Sequence, residues 1–195
     1  PYVSKEGAIV SVRTKIEGIG SEEAVNLHTR IVDSEGNVVA EQTDTRKILS
    51  GEIEQIIHVE SPELWSPENP ALYRAETEVR TGGRVYTDWG TGHYKSFRTI
   101  REDGNIVQDA VSTRFGIRTV EVRPGMGFYL NGELRKFKGV CLHHDLGPLG
   151  AAVNKAAIRR QLTILKDMGC DAIRTSHNMP ADELIELCDE MGLMV

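Results

Sequence analysis

Two short stretches hold most of the side chains in this sequence able to do chemistry: Cys141-Leu-His-His-Asp145 and Thr175-Ser-His-Asn178. An imidazole donates and accepts hydrogen bonds and changes charge near neutral pH, so His143, His144 and His177 are the natural candidates for binding or proton chemistry. Cys141, His143, His144, Asp145 and His177 also include every ligand type zinc accepts. No H-E-x-x-H or paired C-x-x-C accompanies them, so no metal site and no cofactor is expected. A reactive Cys141 beside a histidine has no diagnostic spacing either. The plain alternative is that these are loop side chains hydrogen-bonded to nearby backbone.

What must position them is an alternation of strands and helices from Arg135 onward. Phe137 to Val140 reads as a short strand. Lys155 to Met168 follows as a helix with Ile158, Leu162, Leu165 and Met168 on one face, Asn154 as N-cap and Gly169 past its end. Asp171 to Arg174 is the next strand. Pro180 opens a second helix with Leu184, Leu187 and Met191 inward and Gly192 as its stop, and Leu193 to Val195 begins a third strand. Asp167-Met-Gly and Glu190-Met-Gly recur 23 residues apart, as successive α/β units of a parallel sheet would. Both reactive stretches then lie just beyond the C-terminal ends of consecutive parallel strands, where α/β barrels keep their sites. Such strands are about 4.8 Å apart, which would let His143 or His144 share a mouth with His177. The acidic run Asp182, Glu183, Glu186, Asp189 and Glu190 falls opposite the apolar stripe and is expected to face solvent.

Before Arg135 the period is two. Ala8 to Ile16 alternates; Val25 to Ile31 alternates, turns through Asp33-Ser-Glu-Gly-Asn37 and can return along Val38 to Thr43. Ile53, Ile57 and Val59 mark another strand, and Tyr73 to Val79 another before Gly82-Gly83. Short strands at this spacing indicate a β-sandwich. Three prolines in Ser61-Pro-Glu-Leu-Trp-Ser-Pro-Glu-Asn-Pro70 leave Trp65 as the group expected to plug the end of the sandwich core. Phe97 to Arg101 and Ile106 to Val111 read as a hairpin excursion around Glu102-Asp-Gly-Asn105. Arg118 to Val122 reads as one more sandwich strand, and Phe128 to Glu133 as a hairpin turning at Asn131-Gly132.

Composition sets outer bounds. The chain has 195 residues, 39% hydrophobic and 27% charged, which suits packed domains. Residues 1–120 carry 14 basic and 19 acidic side chains and residues 121–195 carry 9 and 10, so no nucleic-acid-binding face is expected. No apolar run approaches the roughly 20 residues that cross a bilayer, the opening residues are not read as a targeting leader, and no compartment follows. The three cysteines all fall after residue 140, so no disulfide framework holds the first part together. Three short parallel strands with helices cannot cover both faces of a sheet. The expectation is a segment of a longer protein, and self-association through exposed barrel surfaces.

Lys138-Gly-Val-Cys-Leu-His-His-Asp145, Arg160 through Asn178 and Leu187-Cys-Asp-Glu-Met-Gly-Leu-Met-Val195 resemble the opening of the catalytic barrel of family 2 glycoside hydrolases, closest to the β-galactosidases. Leu64-Trp-Ser-Pro-Glu-Asn-Pro-Ala-Leu-Tyr73 and Phe115-Gly-Ile-Arg118 resemble the immunoglobulin-like sandwich that precedes it. The resemblance covers nearly the whole chain and is looser between Gly90 and Arg114. It implies a multi-domain chain: an immunoglobulin-like β-sandwich over residues 1–122, then the first two β/α units and the start of a third strand of a TIM barrel over 123–195. It further implies a retaining β-glycosidase, a β-galactosidase, that removes terminal β-linked galactose from glycans with two glutamates about 5 Å apart. Both glutamates would follow later strands, so this chain is expected to carry no catalytic residue and to be inactive alone. By the same resemblance His143 and His177 would bind sugar hydroxyls, Arg174 would orient the nucleophilic carboxylate, and Asn178 would support the loop. Many family members have Asn-Arg where this chain has Cys141-Leu142, which bears on the sugar recognised. The competing reading is a carbohydrate-binding or structural sandwich module without hydrolase activity, with a zinc protein as a third.

Overall fold

The computed structural model describes residues 2–17, 24–46, 51–82 and 105–195. They form two compact units, one mainly Glu6–Ser61 and Tyr73–Phe115, the other Val3–Lys5, Pro62–Leu72 and Gly116–Val195.

The first unit is all strand: β1 (Gly7–Ile16), β2 (Val25–Val32), β3 (Val38–Arg46), β4 (Gly51–Glu60), β5 (Tyr73–Gly82) and β6 (Asn105–Phe115). One sheet has the order β3-β2-β5-β6 and the other pairs β1 with β4, every ladder antiparallel. Alternation gives β4 one buried face, and Ile16, Leu27 and Ile53 meet in one cluster with Val79 against them. Gln55 occupies an inward position of β4 and is fully buried. Its polar atoms are satisfied across the core: Thr29 Oγ1 donates to Oε1 at 2.5 Å, and Nε2 donates to the Leu27 carbonyl at 3.2 Å. A buried amide is tolerated on such terms.

Three expectations change here. Ile106 to Val111 forms the first half of β6, which pairs along its length with β5 as part of the main sheet. It lacks a buried face, so its length left no periodic mark in the sequence. The expected partner Phe97 to Arg101, and the Gly82-Gly83 reversal beyond Gly82, lie outside the described residues. Trp65 does not cap the sandwich: it belongs to the second unit, where it is 2% exposed and packs with Leu130, Ala172 and Met194. Its indole Nε1 donates to the Asp189 carbonyl at 2.8 Å. The strand expected at Arg118 to Val122 is β7 (Val120–Arg123), in a three-stranded antiparallel sheet of the second unit with β8 (Gly127–Leu130) and β9 (Glu133–Arg135).

The β8–β9 hairpin turns at Asn131-Gly132 as expected, with φ of 51° and 81° at the two central residues. Beyond it come β10 (Gly139–His143), α1 (Lys155–Asp167), β11 (Ala172–Ser176) and α2 (Asp182–Met191). β10 and β11 are parallel, and Met194 bridges to Ala172 in the same sense, beginning the third strand. Asn154 caps α1, its side chain accepting from the Ala157 N–H at 3.0 Å. Gly169 and Gly192 both take positive φ, 86° and 73°, which is what each Met-Gly repeat supplies at a helix end. Ile158 and Leu162 of α1 meet Ile173, Leu187, Cys188 and Leu193 in one cluster, with Leu142, Leu165, Leu184 and Met191 against it. Met168, expected inward, is 69% exposed because it caps the helix rather than continuing its stripe. The acidic run is not simply solvated either. Glu186 pairs with Lys155 at 2.7 Å and Glu190 with Arg159 at 2.9 Å, joining the two helices.

Candidate functional site

The site is built on the parallel pair. Residues two apart in a strand leave the same face, and the register sets Cys141 beside Arg174 and His143 beside Ser176. Those four therefore share one face. Leu142 and Ile173 point the other way, into the cluster formed with α1 and α2. Both strands run further than the sequence indicates, so Cys141, His143 and Ser176 stand within strands rather than on the loops beyond them. The cause is the helix-side packing of Leu142, which holds the backbone extended past Val140.

His177 follows directly on β11, and the Ser176–His177 peptide is cis. Its ring meets that of His143 edge-on, 5.6 Å between centroids at 76°. Both imidazoles are exposed. His144, the other expected partner, turns away: its Nε2 lies 2.9 Å from the Ala151 carbonyl. Asp145 is occupied with its own loop, its carboxylate accepting from the Gly147 N–H at 2.7 Å. Asn178 lines a cleft of about 50 Å³ with His143, His144 and Asp145, and donates to the Met179 carbonyl at 3.1 Å. Arg174 and His177 are not among the residues lining that cleft. The structure thus brings His143 to His177 and keeps Arg174 on the same sheet face, with Asn178 around the corner of the rim.

Arg174 donates through Nη1 to Ser176 Oγ at 3.1 Å and reaches Cys141 Sγ at 3.8 Å. The Ser176 hydroxyl, and after it the Arg174 guanidinium, hold the exposed Cys141 thiol below its ordinary value, with burial acting weakly against them. Ser176 did not stand out in the sequence. Its signal was the two-residue spacing from Arg174, which puts both on one face of a strand. Among the described residues no group of three His, Cys, Asp or Glu side chains is placed to hold a metal ion. No described helix is long and apolar enough to cross a membrane.

A sheet rim with two exposed imidazoles, a guanidinium on the same face and polar side chains around it can hydrogen-bond a polyhydroxylated ligand and attract a carboxylate. Comparison with known proteins points the same way. Residues 1–91 match the family model "Glycosyl hydrolases family 2", and residues 120–195 match "Glycosyl hydrolases family 2, TIM barrel domain". A putative beta-glucuronidase of Formosa agariphila is 36% identical over all of this chain, which covers 16% of that protein. The beta-galactosidase BoGH2A of Bacteroides ovatus is 37% identical over 98% of the chain and 20% of its own length. The crystal structure of a glycosyl hydrolase family 2 member from Bacteroides cellulosilyticus superposes with a TM-score of 0.78 at 32% identity, over 99% of this chain and 23% of that one. The chain therefore spans about a fifth of the length of the curated relatives it matches.

Proposed function

This chain belongs to glycosyl hydrolase family 2, and from that premise we propose that it supplies the sandwich and the opening barrel units of a retaining β-glycosidase that removes terminal β-linked galactose from glycans. The observation that carries the reading is the edge-on pair of His143 and His177 on the rim above Arg174. In this proposal the two imidazoles bind hydroxyls of the sugar in the subsite next to the scissile bond. Arg174 presents a fixed positive charge to the nucleophilic carboxylate and orients it, and Asn178 supports the loop. One glutamate protonates the leaving oxygen, a second attacks the anomeric carbon, and water then releases the sugar with retention. Both glutamates belong to later barrel strands; the sandwich ends at Phe115 rather than at residue 122, because β7 pairs with β8 in the second unit.

A second reading, cleavage of β-glucuronides, is favoured by relatives that carry that name, such as the one from Formosa agariphila. Hydrolysis of nitrophenyl β-galactoside and nitrophenyl β-glucuronide by the full-length protein separates the two. The galactoside is expected to be the better substrate, with His177→Ala raising its KM about tenfold, a single lost hydrogen-bonding contact. Faster glucuronide hydrolysis would replace galactose by glucuronic acid. The 195-residue chain by itself is expected to turn over neither. Saturable galactoside binding to the sandwich without any hydrolysis by the full-length protein would favour a binding module instead.

A further inference from the structure

We propose that Ser176, with Cys141 beside it, is the positioning residue that fixes the direction of the Arg174 guanidinium on the inner face of the β10–β11 pair. The proposal rests on the reading of Arg174 as the partner of the nucleophilic carboxylate. Arg174 stands at the middle of β11 but its side chain is exposed, and an exposed arginine has many rotamers open to it. A guanidinium that is to hold a carboxylate in line needs its rotamer set in advance. Ser176 provides a fixed point, because it is 3% exposed and cannot move without disturbing the strand. Its Oγ accepts from Arg174 Nη1 at 3.1 Å, while the Cys141 sulfur, across the ladder, takes the same nitrogen at 3.8 Å. With Nη1 engaged by these two acceptors, Nη2 and Nε form the edge of the guanidinium that suits a bidentate carboxylate.

Cys141 adds a built-in reporter. The same hydroxyl and the same guanidinium that form the tether also hold the Cys141 thiolate. The pH dependence of Cys141 alkylation therefore reads the arrangement without any substrate. Cys188 is buried, its thiol pushed up to about 12, so it reacts last, and Cys170 is distinguished by its own peptide.

The test is iodoacetamide alkylation of the 195-residue chain across pH, followed at Cys141 by peptide mass spectrometry. The wild-type midpoint should lie below that of an ordinary thiol. Ser176→Ala and Arg174→Gln should each move it upward, cutting the thiolate fraction at pH 7.5 by about threefold or more, and Ser176→Thr, which keeps the hydroxyl, should restore it. An unmoved midpoint in Ser176→Ala, with unchanged circular dichroism, overturns the tether. In the full-length enzyme, Ser176→Ala should lower kcat about tenfold and have no further effect once Arg174 is Gln, as expected of a residue acting through another. Equal losses in both backgrounds overturn positioning. An Arg174→Gln enzyme with undiminished kcat overturns instead the reading of Arg174, and the alkylation result tells the two failures apart.

Discussion

Replacing Trp65 by Phe should unfold the helices of the second unit at lower denaturant and leave the sandwich alone. The Asp189 carbonyl lies in the last turn of α2. The Trp65 indole N–H donates to it at 2.8 Å. Phenylalanine has no donor, so this part-buried hydrogen bond is lost at a cost of about 1–2 kcal/mol. The smaller ring also gives up contacts with Leu130, Ala172 and Met194, roughly another 1–2 kcal/mol by comparison with other large-to-small core changes. Together these are about 2–4 kcal/mol, a large share of the ~5–15 kcal/mol that stabilises an ordinary domain. With a urea m-value of about 1.5 kcal/mol/M, the midpoint should fall by roughly 1–3 M. Circular dichroism at the helix minimum reports the second unit specifically, since α1 and α2 both belong to it. A helix transition that stays where it is, or a shift confined to the strand signal, would refute this placement of Trp65 and return it to the sandwich.

In the sandwich, burial, with Arg80 next in weight, lowers the His28 pKa below its ordinary 6.5, against the opposing pull of Glu41 and Glu78. The unfolded chain then takes up a proton before the folded one, so His28 contributes full stability above pH 6.5 and loses it as pH falls through the lower folded value. Melting of the strand signal should drop over that window, and His28→Gln should flatten the drop. Val120, Val122, Met126, Leu134 and Phe137 are each more than half exposed in or beside the β7–β9 sheet. Light scattering of the chain should accordingly show concentration-dependent association, and a monomer at high concentration would contradict that expectation.

Legibility followed burial. Strands with one buried face, such as β4, and helices with a buried stripe, such as α1, announced themselves by period, and the Asn131-Gly132 turn and the two Met-Gly stops by residue type. β6 was read only in part, because among the described residues it lies at the edge of its sheet with neither face buried and so carries no alternation. Trp65 was misplaced because a large apolar side chain in a proline-rich link has no period of its own, and its partners Leu130, Ala172 and Met194 are far away in sequence. At the site, strand spacing was enough to anticipate that the two loops would meet. Which of His143 and His144 would turn toward His177 was left open, since that choice depends on where β10 ends. Ser176 was passed over because a serine in a strand is ordinary until its acceptor role toward Arg174 is seen.

The eleven residues Pro62–Leu72 sit between two sandwich strands in sequence yet pack with the barrel start. Lys166 donates to the carbonyls of both Pro67 and Gly192, and the backbone at Pro67 approaches Gly192 so closely that a Cβ there would lie 2.5 Å from the Pro67 oxygen. No single cut in the gene separates the halves cleanly. A recombination that carried only residues 116–195 to a new host would leave Trp65 behind, so shuffling of these modules during descent must move them jointly or copy the intervening strap as well.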